Sequence, residues 1–246
     1  MKKYRADLHI HTVLSPCADL EMTPTNIVAE AKKAGLQIIG ITDHNSTRNA
    51  KLVREIGARE NILVLTGAEV TTREEVHCLA FFETNDKLNA FQEYLEEHIT
   101  RIPNPDGHFG YQPVVDENEN ILEMVPYYLT SALKKGITEI QKYVYELDGI
   151  FIPAHVTRPM NGLFSHLGFI PQNLEFDGLG LTGDVDEKYV RKHYVLENKI
   201  SLIRNSDAHY ITEIGSRYST FLLKELSFCE IKKALNQEFG RFIEME

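Results

Sequence analysis

Histidine and carboxylate residues stand two positions apart near the start of this 246-residue chain, as Asp7, His9 and His11. On a β-strand, residues two apart face the same side, so these three side chains would share one face. Two imidazoles at that spacing can close on a single divalent metal ion. Polar residues that merely end a strand would give the same motif, so the argument for a metal site depends on the other histidines.

Further histidines and carboxylates border apolar runs typical of strands, at the ends where barrel and open-sheet proteins build their active sites. They are His44, Glu69, His77, His155, Asp207 and His209. Taken singly, Glu69 is better explained as a loop or cap residue, and His77 as a core histidine. Six of the ten histidines nevertheless lie at such positions, so the set together predicts a site for several metal ions.

The elements that must position these residues alternate along the chain. The apolar patterns predict strands over residues 4–11, 37–42, 61–66, 76–82, 149–154, 178–181 and 200–205, and helices over 26–34, 46–60, 184–198 and 227–238. Such alternation predicts an α/β fold with a mostly parallel sheet, as a barrel or a doubly wound sheet.

Residues 84–148 interrupt this alternation, because they separate two strands by far more than a βα unit needs. Within them we predict a helix over 87–99, a loop over 101–110, a hairpin pairing 114–115 with 121–124, and a helix over 130–147. We interpret the segment as an insertion near the mouth of the fold, a candidate lid. The chain is then one domain, 1–246, with an insertion at 84–148.

Composition narrows the class of protein. The chain has 26 basic and 36 acidic residues, a net charge of −10, and no basic stripe, which argues against duplex nucleic acid as a partner. A small phosphorylated substrate is compatible with that charge, because bound cations would reverse the local field. No apolar run is long enough for a membrane span, no signal sequence is visible, and Cys17, Cys78 and Cys229 make no disulfide framework. We expect a cytoplasmic protein.

The ordered motifs closely resemble the polymerase and histidinol phosphatase (PHP) family. They are Asp7-Leu8-His9-Ile10-His11-Thr12, Thr42-Asp43-His44-Asn45, Glu69, His77, His155 and Ser206-Asp207-Ala208-His209. The resemblance implies a distorted seven-stranded β/α barrel with a cluster of three metal ions at the C-terminal rim. It also implies an enzyme, a metal-dependent phosphoric ester hydrolase.

The resemblance further implies nine metal ligands, which are His9, His11, Asp19, His44, Glu69, His77, His155, Asp207 and His209. His9, His11 and Asp207 would hold the first ion, with Glu69 bridging it to the second. His77 and His155 would complete the second, and Asp19, His44 and His209 would hold the third. Pro16-Cys17-Ala18 separates Ser15 from Asp19, a departure from the family pattern, so either Asp19 or Cys17 could complete the third site. Mixed imidazole and carboxylate ligands suit Zn, Mn or Fe.

The chemistry expected at such a cluster is hydrolysis by a metal-activated hydroxide. Asp207 or a metal-bound water would handle protons, and Glu69 would bridge the ions as the second catalytic carboxylate. Arg158 and Arg217 are candidate phosphate-binding residues, because a guanidinium offers paired donors. A solvated surface arginine is the alternative for each.

We therefore expect a phosphoesterase acting on a small phosphorylated metabolite, a nucleotide or a short oligonucleotide end, without membrane or duplex nucleic acid as partners. Three alternatives stay open. They are a nuclease acting on single strands, a metallohydrolase that cuts C–N bonds, and a non-catalytic metal-binding module. The physiological substrate, the metal identity and the oligomeric state are not determined by the sequence.

Overall fold

A seven-stranded sheet, curled into half a barrel, forms the centre of the computed structural model. The structure describes residues 1–181, 183 and 185–245. The strands of the chain are β1 (Lys2–Ile10), β2 (Ile38–Ile41), β3 (Leu63–Thr71), β4 (His77–Phe82), β5 (Pro113–Val115), β6 (Ile121–Met124), β7 (Ile150–Pro153), β8 (Leu179–Leu181), β9 (Leu202–Arg204), β10 (Ser219–Leu223) and β11 (Phe242–Met245). The large sheet has the order β11-β10-β1-β2-β3-β4-β7.

Strand directions in this sheet differ from the prediction of a mostly parallel sheet. The β1–β2 and β2–β3 pairs are parallel, whereas the other four pairs are antiparallel. The cause is local at β3 and β4, which a tight turn joins. In that turn Glu75 N donates to Thr72 O at 2.8 Å and Thr72 N donates to Val76 O at 2.9 Å. A short turn can only return the chain antiparallel, because a parallel connection needs a crossover of a dozen or more residues.

The parallel pair β8–β9 lies between β7 and β1. On one side, Val156 N donates to Gly180 O at 2.9 Å. On the other, Ala208 N donates to His9 O at 3.1 Å and His11 N donates to Ala208 O at 3.0 Å. These bonds join the short pair to the chain that follows β7, an edge strand of the large sheet, and to β1 within that sheet. The prediction of an α/β fold of distorted-barrel type is confirmed.

Seven α-helices accompany the strands in the described residues. They are α1 (Pro24–Lys33), α2 (Ala50–Arg59), α3 (Asn85–His98), α4 (Ile137–Glu146), α5 (Leu163–Leu167), α6 (Glu187–His193) and α7 (Phe228–Leu235). Helix α1 starts as its sequence predicts, with Thr23 Oγ1 accepting from Asn26 N at 3.3 Å and proline at the first helical position. The predicted start of α6, residue 184, lies outside the described residues.

Helix α4 begins later than the predicted residue 130. Leu133 N donates to Thr71 O at 2.9 Å and Lys134 N donates to His98 O at 2.8 Å. These long-range bonds hold the chain out of a helical conformation up to Gly136, after which the helix starts. Strands β10 and β11 and the short helix α5 were not predicted.

The segment 84–148, which the sequence predicts to be an insertion, contains the predicted hairpin, because β5 and β6 pair antiparallel. The loop over residues 101–110 lies against the loop that follows β1. Gly110, with φ of 104°, lies so close to the Pro16 carbonyl that a Cβ could not be accommodated. The insertion therefore packs beside the chain that follows His11. Among the described residues, no helix has the length and apolar character to cross a membrane, and the three cysteines are free.

Candidate metal centre

The barrel strands bring the predicted ligands to one end of the sheet. His9 lies in β1 and His11 directly follows it, Glu69 lies in β3, and His77 opens β4. The loop after β2 runs alongside β3, because Glu69 N donates to Asp43 O at 3.0 Å and Asn45 N donates to Glu69 O at 2.9 Å. That pairing sets the His44 side chain beside Glu69.

Glu69 is the centre of the site, a carboxylate with only 1% of its side chain exposed. Its Oε1 is 3.0 Å from His77 Nδ1, 3.0 Å from His155 Nε2 and 3.2 Å from His9 Nε2. Its Oε2 is 3.2 Å from His44 Nδ1 and 3.4 Å from His11 Nε2. Five of the six histidines predicted to be ligands thus surround one buried carboxylate.

Asp207 closes the cluster on the side of the mouth. Its Oδ1 is 3.2 Å from His9 Nε2 and 3.4 Å from His11 Nε2. Its Oδ2 accepts from Arg158 Nη1 at 2.7 Å. One oxygen of Asp207 therefore faces the imidazoles, and the other faces a half-exposed guanidinium.

In the described part of the chain, three groups of residues could each hold a metal ion. Within each group, the ligand atoms lie within 4.8 Å of one another. The groups are His9, His11, Glu69 and Asp207; His44, Glu69 and His77; and His11, His44 and His209. Asp19 and His155 belong to none of them; His155 Nε2 nevertheless lies 3.0 Å from Glu69 Oε1, whereas Asp19 Oδ1 accepts from Glu21 N at 2.8 Å. The assignment of all nine residues as ligands stays a prediction, and so does that of Cys17, whose side chain is exposed at the mouth.

The donors fit divalent metal ions. The Nε2 atoms of His9 and His11 are 3.2 Å apart. Within the described residues, three buried ring nitrogens make no hydrogen bond. One is His44 Nδ1, although it lies 3.2 Å from Glu69 Oε2, and the other two, His77 Nε2 and His155 Nδ1, are the nitrogens of those rings that do not face Glu69. Buried carboxylates need a cationic partner, and converging imidazole nitrogens with carboxylate oxygens match the preferences of borderline divalent metals.

Protonation in the cluster follows from burial and charge. Burial lowers the pKa of His11 to about 4 and holds the pKa of His44 well below its usual value. These two imidazoles are therefore neutral at pH 7, the form that binds metals. At His9, burial opposes protonation, but the carboxylates of Asp207 and Glu69 raise the pKa to about 9. The cluster thus attracts positive charge most strongly beside His9.

Backbone geometry at the site is strained at three non-glycine positions. Asn45, His155 and Asp207 have positive φ values of 44°, 31° and 58°. Residues other than glycine are held in this region only where the surrounding structure determines it, and such positions gather at functional sites.

The loop that carries Asp207 and His209 is held by Asp7. Asp7 Oδ1 accepts from Ser206 N and Oδ2 accepts from Gly215 N, both at 3.0 Å. Burial raises the pKa of Asp7 to about 6. Its carboxylate thus belongs to the support of the site and is outside the three ligand groups.

A buried polar network that the sequence analysis missed lies behind His11. Ser15 Oγ is 2.9 Å from His11 Nδ1 and donates to Asp43 Oδ1 at 2.7 Å. Thr12 N and Thr12 Oγ1 donate to the same carboxylate at 2.7 and 2.8 Å. The available signal is Asp43 itself, the neighbour of His44 in the motif Thr42-Asp43-His44-Asn45.

The mouth of the cluster is a cavity of about 450 Å³. It is lined by Cys17, Arg158, Ser206, Asp207, His209, Tyr210 and Glu213. Arg158 thus lines the mouth beside Asp207, and its role in phosphate binding stays a prediction. Arg217 is not among these lining residues, and its Nη1 donates to Ser216 O at 2.8 Å.

Residues 7–118 match the family model of the PHP domain. The expected resemblance to the PHP family is confirmed over these residues. The chain is 26% identical to the uncharacterized protein YqxK of Bacillus subtilis over 99% of this chain and 64% of that protein. The chain therefore spans less than two thirds of this relative's length.

Solved structures with the same fold include the lesion-specific endonuclease Q of Pyrococcus furiosus. Its TM-score is 0.74, with 23% identity over 98% of this chain and 58% of that chain. Endonuclease Q in complex with a 27-mer duplex substrate, with an abasic lesion at the active site, matches at a TM-score of 0.71 and 21% identity, with the same coverage. At these identities the similarity shows a shared fold. The expectation that duplex nucleic acid is not a partner of this chain is unsupported.

Proposed function

We propose that this PHP domain is an enzyme that hydrolyses phosphoesters with divalent metal ions held by its histidine and carboxylate cluster. The observation that supports this most directly is Glu69, one buried carboxylate within 3.4 Å of ring nitrogens from five histidines. Such a centre is costly to bury unless cations bind there, and a cluster of cations suits the cleavage of an anionic ester.

We assign three ions, of Zn, Mn or Fe, to the centre. The first would be held by His9, His11, Asp207 and Glu69, the second by Glu69, His77 and His155, and the third by His44 and His209 with Asp19 or Cys17. When bound, divalent cations screen the charge of a phosphate and lower the pKa of a water molecule.

The chain's own residues would orient the substrate and move the proton. Arg158 donates one N–H to Asp207 Oδ2, and its half-exposed guanidinium has further donors for a phosphate oxygen. Asp207 Oδ1 faces the cluster and would hold the proton that the attacking water releases. Glu69 is fixed by its five imidazole neighbours and would hold the metal-ligating side chains in their relative positions. Arg217 is the second candidate for phosphate binding.

For the substrate, we favour a phosphodiester of DNA, because 98% of this chain shares the fold of endonuclease Q. A small phosphorylated metabolite or nucleotide is the second candidate, because the net charge of −10 provides no extended basic surface.

The test compares two substrates with the same protein, loaded with Mn, Zn or Fe. One is an end-labelled DNA duplex with a single abasic site, and the other is p-nitrophenyl phosphate as a small monoester. We expect wild type to cleave at least one, His9→Ala to cleave neither, and the exposed His108→Ala to match wild type. A metal-loaded wild type without activity on either substrate would favour a non-catalytic metal-binding module.

A further inference from the structure

The polar network behind His11 is fully buried, with exposed fractions of 0% for His11, Thr12 and Ser15 and 1% for Asp43. Groups this deep must satisfy their hydrogen bonds within the protein. The positions of the hydroxyl protons can therefore be deduced by assigning each proton to one acceptor.

The count begins at Thr12. Its Oγ1 accepts from Leu14 N at 3.1 Å and from Asn49 Nδ2 at 3.0 Å. Its single hydroxyl proton is thus free for Asp43 Oδ2, at 2.8 Å. Asp43 Oδ1 accepts the backbone N–H of Thr12 at 2.7 Å, so this carboxylate acts only as an acceptor.

The same count fixes Ser15. Its Oγ is 2.7 Å from Asp43 Oδ1 and donates its only proton there. The remaining lone pairs accept from His44 N at 3.2 Å and from His11 Nδ1 at 2.9 Å. His11 Nδ1 must therefore carry the imidazole proton. Its Nε2 keeps a lone pair, and that atom faces Glu69 Oε2 and Asp207 Oδ1, both at 3.4 Å.

We infer that Ser15 and Asp43 are positioning residues, which fix the Nδ1–H tautomer and the ring orientation of His11 so that its Nε2 can bind metal. A carboxylate usually orients a metal-binding histidine by accepting its other N–H directly. Here a serine hydroxyl stands between the two. Asp43 accepts the hydrogen bond from the Ser15 hydroxyl, which makes the Ser15 oxygen a better acceptor. The hydrogen bond that this oxygen accepts from His11 Nδ1 is strengthened as a result.

The hydrogen-bonded series from Asp43 through Ser15 to His11, here called the relay, also connects the metal centre to the insertion. Asn49, which donates to Thr12 Oγ1, also donates through Nδ2 to Pro113 O at 3.3 Å, and its Oδ1 accepts from Val115 N at 3.2 Å. Strand β5 of the insertion is thereby hydrogen-bonded to the network that orients His11. This favours a fixed supporting role for that part of the insertion over the lid that the sequence suggested.

The first test measures the tautomer without any metal. Nitrogen-15 NMR of metal-free protein, with His11 assigned from a His11→Gln variant, should show the proton on Nδ1 in wild type. In Ser15→Ala the Nε2–H form should appear. A wild-type His11 that carries its proton on Nε2 would overturn the inference, whatever the protein catalyses.

The second test measures binding of Mn²⁺ or Zn²⁺ by competition with a chromophoric chelator. We expect Ser15→Ala to bind about 10- to 100-fold more weakly and Asp43→Asn about tenfold more weakly. The matched controls are Ser219→Ala, a buried serine bonded to the Arg204 backbone, and Asp177→Asn, a buried carboxylate that accepts from Phe151 N. Both should bind metal like wild type, even where stability falls.

The outcomes separate this inference from the proposed function on which its metal role rests. If wild type binds no metal, the proposed metal centre is refuted. The tautomer of His11 then remains as the test of whether Ser15 and Asp43 orient this imidazole. If wild type binds metal and Ser15→Ala binds within twofold of it, the relay has no positioning role. Should Asp43→Asn fail to fold, Ser15→Ala and the tautomer of wild type still decide the matter.

Discussion

Replacing Glu69 by glutamine removes the negative charge at the centre of the cluster while nearly preserving its shape. Glu69 is a member of two of the three ligand groups. A charge-assisted contact contributes about 1.5–3 kcal/mol, so metal binding at each of those two groups should weaken about 10- to 150-fold. The group of His11, His44 and His209 does not include Glu69 and should lose less.

The assay is a titration of metal-free Glu69→Gln and wild type with Mn²⁺ against a chelator, followed by elemental analysis after removal of loose metal. Glu230→Gln provides the matched control. Glu230 is also a buried glutamate, and its Oε1 accepts from Arg241 Nη2 at 2.9 Å. This control should retain wild-type metal content although it loses a buried ion pair. If Glu69→Gln binds as many ions as wild type, with affinities within threefold, Glu69 is not a bridging ligand.

Three further predictions concern the mouth, acid stability and metal removal. Arg158→Ala should raise KM for a phosphoester at least about tenfold, since it removes a charged donor beside the cluster, and an unchanged KM would argue against phosphate binding there. The hydrogen bond from Arg241 lowers the pKa of Glu230 to about 2 from 4.5. The stability that this ion pair contributes is thus complete above pH 4.5 and is lost as the pH falls towards 2. The denaturant midpoints of wild type and Glu230→Gln should therefore converge in acid, and a constant difference between them would contradict this linkage. Chelation should lower the free energy of unfolding by about 3 kcal/mol for each independent site at which metal is present at 100 times its dissociation constant, and calorimetry that shows no change would mean that metal does not stabilise the fold.

Much of the candidate site is predictable from the sequence, because its ligands obey local rules. The period of two along β1 places His9 and His11 together, and strand ends bring His44, His155 and Asp207 to one rim. Whether neighbouring strands pair in a parallel or an antiparallel direction is harder to predict from the sequence. The β3–β4 hairpin depends on a five-residue turn without glycine, in which Glu75 adopts a positive φ of 60°.

Other features depend on contacts between distant residues. Strand β10 pairs with β1, about 215 positions away in sequence, through a register that no local pattern encodes. The relay through Ser15 and Asp43 needs the loop after β1 to fold against the loop after β2. Neither residue has a spacing that indicates this partnership, and so the sequence analysis could identify the ligands but not their support.

The central claim is that one end of the barrel holds a cluster of metal ions. The most direct measurement is elemental analysis of wild-type protein purified without chelator, with metal expressed per chain. The ligand groups predict about three divalent transition-metal ions per chain, falling sharply in Glu69→Gln. A well-folded wild type with one ion or none, even after incubation with Mn²⁺, Zn²⁺ or Fe²⁺, would contradict the account.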